Sequence, residues 1–251
     1  MVPSTESSLA GDLPANLKVI IPAAGIGARV GGDRPKQYQL LNDRFLLDVT
    51  LQRLSAALPG VRLLVMLHPD DVWWSRSETA GLALVDTATG GDTRADSVRL
   101  GLAFLESDAK ASDPVLVHDV ARPCFTAGDI HRLLHETARS EHGGLLGAPV
   151  PDTVKEVDNG RRVRLTRDRR WLWRALTPQV FPYGALKQAL HHAQAEGLEV
   201  TDEASAMEAL GYAPLVVPGR SDNLKVTYPE DLALAAWYLQ QFHEQHPETP
   251  K

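Results

Sequence analysis

Cysteine is almost missing from this chain: Cys124 is the sole one in 251 residues. No intrachain disulfide can form, which fits a reducing compartment. Long apolar runs are missing too, since no stretch reaches the roughly 18 apolar residues that a membrane-spanning helix needs. Residues 1–16 hold neither Lys nor Arg nor a sustained apolar run, so they do not read as a secretory signal. Positive charge is in deficit, with 26 Lys and Arg against 32 Asp and Glu, a net charge of −6 and a pI near 5.8. A nucleic-acid polymer is therefore not an expected partner, because such binders carry a basic face. Any phosphate ligand has to be met by a local group of cations. The expectation is a cytoplasmic protein with no membrane partner, a disordered leader at 1–16 and a polar tail after Gln241.

Two common phosphate-loop signatures are also absent. A Walker A loop ends in Gly-Lys-Ser/Thr, a triplet found nowhere in the chain. A dinucleotide fingerprint needs Gly or Ala three residues after Gly27, where the chain has Val30, and this disfavours an oxidoreductase. In their place residues 19–36 read Val-Ile-Ile-Pro-Ala-Ala-Gly-Ile-Gly-Ala-Arg-Val-Gly-Gly-Asp-Arg-Pro-Lys. Val19, Ile20 and Ile21 suit a buried parallel strand. Ala23, Ala24, Gly25 and Gly27 allow a ligand close to the main chain. Exposed N–H groups there make an anion-binding concavity, and Arg29 and Lys36 add fixed positive charge. Without those cations a tight turn would be the plainer explanation; with them a nucleoside triphosphate is the expected ligand.

With 43% hydrophobic and 23% charged residues, the chain can bury a substantial core. Helical periodicity at 45–58, 70–80, 94–105 and 130–138 alternates with strand-like runs at 61–67, 82–85, 115–117 and 144–150. That alternation predicts an α/β fold with a doubly wound, mainly parallel sheet. The rhythm breaks at 153–168, which alternates around Asp158-Asn159-Gly160 and carries Lys155, Arg161, Arg162, Arg164 and Arg167. Asn-Gly between alternating runs signals a hairpin, and one this polar is either a solvated ribbon or a dimerisation arm packed on something else. Helices at 183–195 and 202–210, a strand at 212–217 and a closing helix at 229–238 follow. The economical organisation is one domain at 17–245, with 151–171 as a projecting dimerisation arm.

In parallel α/β sheets ligands sit beyond the carboxyl ends of the strands. The segments expected there are the Gly-rich loop, Thr89 to Ser97 with Gly90-Gly91-Asp92, His118-Asp119-Val120-Ala121-Arg122-Pro123, Pro151-Asp152-Thr153, and Gly219 to Thr227. Each has an ordinary alternative. Asp92 or Thr93 suits a helix cap, Thr201 suits another, and Lys225 alone suits a solvated surface. His131 and His135 share a helix face but lack a third ligand, so zinc is not expected. Cys124 follows a proline and has no base beside it.

Together the segments Pro-Ala-Ala-Gly-x-Gly-x-Arg…Arg-Pro-Lys-Gln-Tyr, Gly-Gly-Asp-x-Arg-x-Asp-Ser-Val, Val-His-Asp-x-Ala-Arg-Pro, Leu-Thr-Pro-Gln, Thr-Asp-Glu-Ala-Ser-Ala and Asp-Asn-x-Lys-Val-Thr form a pattern. It resembles, in order over about residues 17–240, the 2-C-methyl-D-erythritol 4-phosphate cytidylyltransferase family of the non-mevalonate isoprenoid pathway. The resemblance implies a nucleotidyltransferase-type, Rossmann-like fold and a homodimer with exchanged arms. It also implies transfer of CMP from CTP to methylerythritol phosphate, with Mg²⁺ held mainly through the CTP phosphates. By position, Ala23, Ala24 and Gly25 would line the nucleotide, while Gly91, Asp92 and Ser97 would read cytosine and hold the ribose region. Arg29, Lys36 and Lys225 would hold the triphosphate and act in catalysis. Asp119, Arg122, Thr177 and Thr201 would hold the acceptor, joined by Thr153 and Arg169 from the partner's arm. Val120, Trp171 and Arg174 depart from the family pattern. A cytidylyltransferase for a pentitol phosphate such as ribitol 5-phosphate, or a non-catalytic nucleotide-binding module, would share much of this pattern.

Overall fold

The computed structural model describes residues 13–25 and 34–245, the last four by backbone alone. In chain order its first half runs β1 (Lys18–Pro22), β2 (Leu40–Leu41), β3 (Arg44–Phe45), α1 (Leu46–Ala57), β4 (Leu63–Leu67), β5 (Val85–Thr89), α2 (Arg94–Phe104), β6 (Pro114–Val117), α3 (Ala127–Thr137) and β7 (Gly144–Pro149). The second half adds β8 (Lys155–Val157), β9 (Val163–Thr166), β10 (Trp173–Pro182), α4 (Tyr183–Ala195), α5 (Glu203–Ala209), β11 (Leu215–Pro218) and α6 (Pro229–Gln245).

A seven-stranded sheet in the order β11-β7-β10-β6-β1-β4-β5 forms the centre. All of it is parallel except β10, which runs against both β6 and β7. Side chains of successive strand residues point to opposite faces, so one strand feeds two cores. Val19, Ile21, Leu63, Val65 and Leu116 pack with α1 and α3 on one face. Ile20, Leu64, Met66, Val115 and Val117 pack with α2, α4 and α5 on the other. The expected doubly wound α/β fold is therefore present. Gly101 lets α2 lie close to β1: a Cβ there would stand 2.9 Å from Ile20 Cγ2. A third cluster, with Leu46, Cys124, Val226 and Ala235, seats α6. No helix among the described residues is long and apolar enough to cross a membrane. Of the expected leader, residues 1–12 lie outside the described residues, while Leu13 packs on the first core.

Three local expectations give way. The helix expected at 70–80 is only a 3₁₀ turn at Trp74–Arg76. Asp71 Oδ1 accepts from the N–H groups of Trp73 and Trp74, and the buried Asp48 carboxylate binds Ser77, Glu78 and Thr79, which pulls the chain off a helical path. The strand expected at 82–85 lies instead at Val85–Thr89, paired with β4 at the sheet edge. Strand β10 has no counterpart in the sequence reading, because Pro178 argues against a central strand. It is tolerated because the β10–β7 register shifts between Ala175 and Gln179, so Pro178 falls where no ladder donor is required.

The expected hairpin is present as β8 paired with β9, in a separate two-stranded sheet with residues 159–171 exposed. Its turn differs from the one Asn-Gly suggests. Asp158 Oδ1 accepts from Gly160 and Arg162 N–H at 2.8 and 2.9 Å, and the left-handed residue is Arg161, with φ of 60°. This is a longer loop closed by a left-handed residue rather than a two-residue turn.

Candidate active site

The chain runs β1, β4, β5 to one side of the sheet and then returns to β6 on the other side of β1. A crevice opens where the order reverses, and in such sheets it holds the ligand. The loops after β1 and β6 flank it. Ala23 N donates to Met66 O at 2.9 Å, and Gly90 N donates to Leu67 O at 2.7 Å, so both glycine-bearing loops leave the sheet from fixed points. They also touch: a Cβ on Gly90 would stand 2.6 Å from Ala24 Cβ and 2.9 Å from Ser97 Oγ. Ser97 is buried, and its Oγ accepts from Gly91 N at 3.1 Å and donates to Thr93 O at 3.0 Å. Its hydroxyl thus shapes the loop. Thr93 caps α2, leaving Asp92 exposed at the rim.

The segment carrying Lys36 is anchored to the first loop. Gln37 is buried and donates from Nε2 to Ala23 O at 2.8 Å. Tyr38, also buried, donates to Asp71 Oδ2 at 2.8 Å and lies against the Phe45 and Trp73 rings. Burial, reinforced by Asp71, raises the Tyr38 phenol well above its ordinary range. Lys36 opens this 3₁₀ turn.

Beyond β6 stands a buried ionic cluster around Asp119. Its Oδ1 accepts from Arg94 Nε at 2.7 Å; its Oδ2 lies 2.8 Å from Lys225 Nζ and 3.5 Å from Arg122 Nε. Arg94 in turn holds both oxygens of fully buried Glu203, at 2.6 and 2.9 Å. Burial alone would push the Asp119 carboxyl up, but Arg94, Lys225 and Arg122 together outweigh it and hold the group well below the usual carboxylate range. Arg122 donates to Asn223 O at 2.8 Å, while its buried Nε has no hydrogen-bond partner among the described residues. A cavity of about 200 Å³ opens on this cluster, lined by Arg94, Asp119, Arg122, Thr177, Thr201 and Lys225 among others.

His118 fixes the backbone beneath. Its Nε2 lies 2.9 Å from Arg122 O, which can only accept, so Nε2 carries the proton. Its Nδ1, at 3.1 Å, therefore accepts from the Thr177 hydroxyl, whose oxygen accepts from Asp119 N at 3.0 Å. Complete burial lowers the His118 pKa to about 4, so the ring is neutral at physiological pH. Asn223 completes the brace, donating to Thr177 O at 2.8 Å.

These features describe a cavity on a buried ionic cluster beside two glycine-bearing loops; relatives give the chain a family. A family model described as 2-C-methyl-D-erythritol 4-phosphate cytidylyltransferase matches residues 17–241. The chain belongs to that family. The 2-C-methyl-D-erythritol 4-phosphate cytidylyltransferase of Pseudomonas aeruginosa is 51% identical over 223 residues, covering 88% of this chain and 94% of that relative. The enzyme so named from Hahella chejuensis is 47% identical over 230 residues, covering 91% and 95%. Among solved structures, the Francisella tularensis 2-C-methyl-D-erythritol 4-phosphate cytidylyltransferase superposes with a TM-score of 0.77 at 36% identity, over 89% of this chain and 100% of that one.

In this cytidylyltransferase fold Asp119, Arg122, Thr177 and Thr201 line one cavity, and Lys225, expected beside Arg29 and Lys36, lines it with them. Ala23, Ala24, Gly25, Gly91, Asp92 and Ser97 lie on the two loops beside the crevice. Arg29 lies outside the described residues. Thr153 and Arg169 do not line the Asp119 cavity of their own chain; both are exposed on the arm, where Arg169 donates to Pro151 O. Thr201 does not cap α5. Asp202 does: its carboxylate accepts from Ser205 N at 2.9 Å while Ser205 Oγ accepts from Asp202 N. His131 makes a structural contact at 3.0 Å to Ala57 O, and burial pushes the Cys124 thiol up to about 12. Val120 contributes its carbonyl, which accepts from Thr50 Oγ1 at 2.8 Å.

Sequence reasoning singled out neither Arg94 nor Glu203, and did not single out His118 or Asn223 individually. Arg94 sat inside a quoted motif, and Glu203 read as an acidic residue in a helix's first turn. No three His, Cys, Asp or Glu side chains among the described residues converge to hold a metal, and Asp119 is already engaged by cations.

Proposed function

We infer that the protein transfers CMP from CTP to 2-C-methyl-D-erythritol 4-phosphate, releasing pyrophosphate and forming 4-diphosphocytidyl-2-C-methyl-D-erythritol for non-mevalonate isoprenoid synthesis. The observation that carries this reading is the cluster of Arg94, Arg122 and Lys225 on Asp119, beside two glycine-bearing loops in a chain of this family. Such a transfer needs alignment and charge compensation more than covalent help. The acceptor's phosphate oxygen is already anionic, so it attacks the α-phosphorus of CTP without a general base. The bond from α-phosphorus to the bridging oxygen breaks, and pyrophosphate leaves with its electrons. The absence of a general base among the assigned residues accords with this chemistry.

In this reading Ala23, Ala24 and Gly25 line the nucleotide, and Gly91, Asp92 and Ser97 read cytosine and the ribose. Lys36, Arg29 and Lys225 compensate charge on the triphosphate. Asp119, Arg122, Thr177 and Thr201 hold the acceptor, and the Arg122 Nε that lacks a hydrogen-bond partner supports an anion there. Mg²⁺ belongs on the CTP phosphates, where it neutralises charge. Thr153 and Arg169 reach the acceptor of a second subunit through the arm, in a homodimer. Their exposure on the arm, outside the cavity lining of their own chain, supports action in trans.

The test is pyrophosphate release with CTP against ATP, GTP and UTP, and with methylerythritol phosphate against ribitol 5-phosphate. Release with CTP and methylerythritol phosphate alone is expected, because a site built to hydrogen-bond one base edge rejects a base lacking the partner group. Equal use of UTP would remove the base-reading role from the Gly91 loop. Preference for ribitol 5-phosphate would reassign the acceptor, and CTP binding without release with any acceptor would leave a non-catalytic module.

A further inference from the structure

The two oxygens of Asp119 are held differently. Oδ1 meets Arg94, whose terminal nitrogens are both gripped by Glu203. Glu203 is fully buried and absent from the cavity lining, so neither solvent nor ligand competes for it. Oδ2 meets Lys225 and Arg122, which line the cavity as Arg94 does, but among the described residues only Arg94 is also gripped by Glu203. Lys225 and Arg122 are the cations assigned to phosphates. Once phosphates draw them away, Asp119 is a buried carboxylate that retains only what is fastened to Oδ1.

We propose, building on the cytidylyl-transfer reading, that Glu203 is a positioning residue: through Arg94 it keeps Oδ1 of Asp119 turned inward and Oδ2 toward the acceptor. Lys225 and Arg122 can then shift onto phosphates while Asp119 keeps both its orientation and a counter-charge. Connectivity agrees, since Arg94 gives its Nε to Asp119 Oδ1 and both terminal nitrogens to Glu203. Placement agrees as well. Arg94 opens α2 directly after the Gly90-Gly91 loop, and Glu203 opens α5 two residues after Thr201. One guanidinium therefore joins the nucleotide loop to the acceptor pocket.

Glu203→Gln keeps the shape and removes the charge; Glu203→Asp keeps the charge one methylene short. The expected result for Glu203→Gln is an acceptor KM raised about tenfold, the size of one lost charge-assisted hydrogen bond. The CTP KM should stay within about twofold, and Glu203→Asp should recover part of the loss. Equal rises in both KM values, or an unchanged acceptor KM in a folded variant, would overturn the assignment. If Glu203→Gln does not fold, Glu203→Asp decides: an acceptor KM intermediate between wild type and that expectation supports it, and no change overturns it. Wild-type protein that releases no pyrophosphate rejects the transfer reading instead. The crystal structure of Glu203→Gln then decides the positioning role: Asp119 turned away from Arg94 supports it, and an unmoved Asp119 overturns it.

Discussion

His118 shows how one neutral ring can carry a stability signature. Burial lowers its pKa from 6.5 to about 4, so the unfolded chain takes up a proton between those values that the folded chain refuses. The contribution is fully present above pH 6.5 and is lost as pH falls toward 4, by about 3 kcal/mol. Asp119 is also depressed, but its loss lies below 3.8 and outside that window. An amide at this position can donate to Arg122 O and accept from Thr177 without titrating. Urea unfolding of His118→Asn at pH 7 and about pH 4.5 is therefore expected to show a smaller acid loss than wild type; an equal loss would mean that His118 is not the group responsible. Lys36 is a different kind of residue, a loop cation contributing little core. Lys36→Met should lower turnover by about 10²-fold or more at saturating CTP while the thermal transition barely moves. Near-normal turnover would sink its assigned role.

The elements that mattered most were unequally readable. Parallel strands β1, β4 and β6 are continuous apolar runs, and the polar, glycine-bearing segments after them announce the ligand edge. That made the loops and most of the lining of the Asp119 cavity legible. Strand β10 was hidden because Trp173 to Gln179 mixes charge, hydroxyl and proline, and only the register shift explains why such a strand is permitted. The Arg94–Glu203 pair was hidden for another reason: its members lie 109 residues apart, and each alone resembles a solvated residue in a helix's first turn. The arm announced itself as a hairpin, yet its action across an interface rests on mixing. Arg169→Ala and Lys36→Met should each be nearly inactive as homodimers. In a mixed dimer the Arg169→Ala subunit keeps its own Lys36 and receives an intact arm from its partner, so one site is complete. Activity should return on co-refolding, and mixed dimers without activity would show that the arm does not cross.

On the scale of the whole molecule, the reversed direction of β10 decides where the arm can go. Gln179 pairs with Val117 at the carboxyl end of β6, so the earlier part of β10 overhangs the ligand edge and the hairpin must leave from that side. Its two feet meet as it leaves: Pro149 pairs with Trp173, and Val150 N donates to Leu172 O at 3.0 Å. The hairpin is thus a detachable flap rather than a seam in the body. Replacing residues 151–171 by a tight turn should leave the seven-stranded sheet uninterrupted. The shortened chain should still bind CTP by calorimetry, sediment as a monomer and lose measurable capture of the acceptor. A lineage could lengthen, trim or recharge that flap without rewriting the glycine-bearing loops, because the two occupy separate stretches of chain.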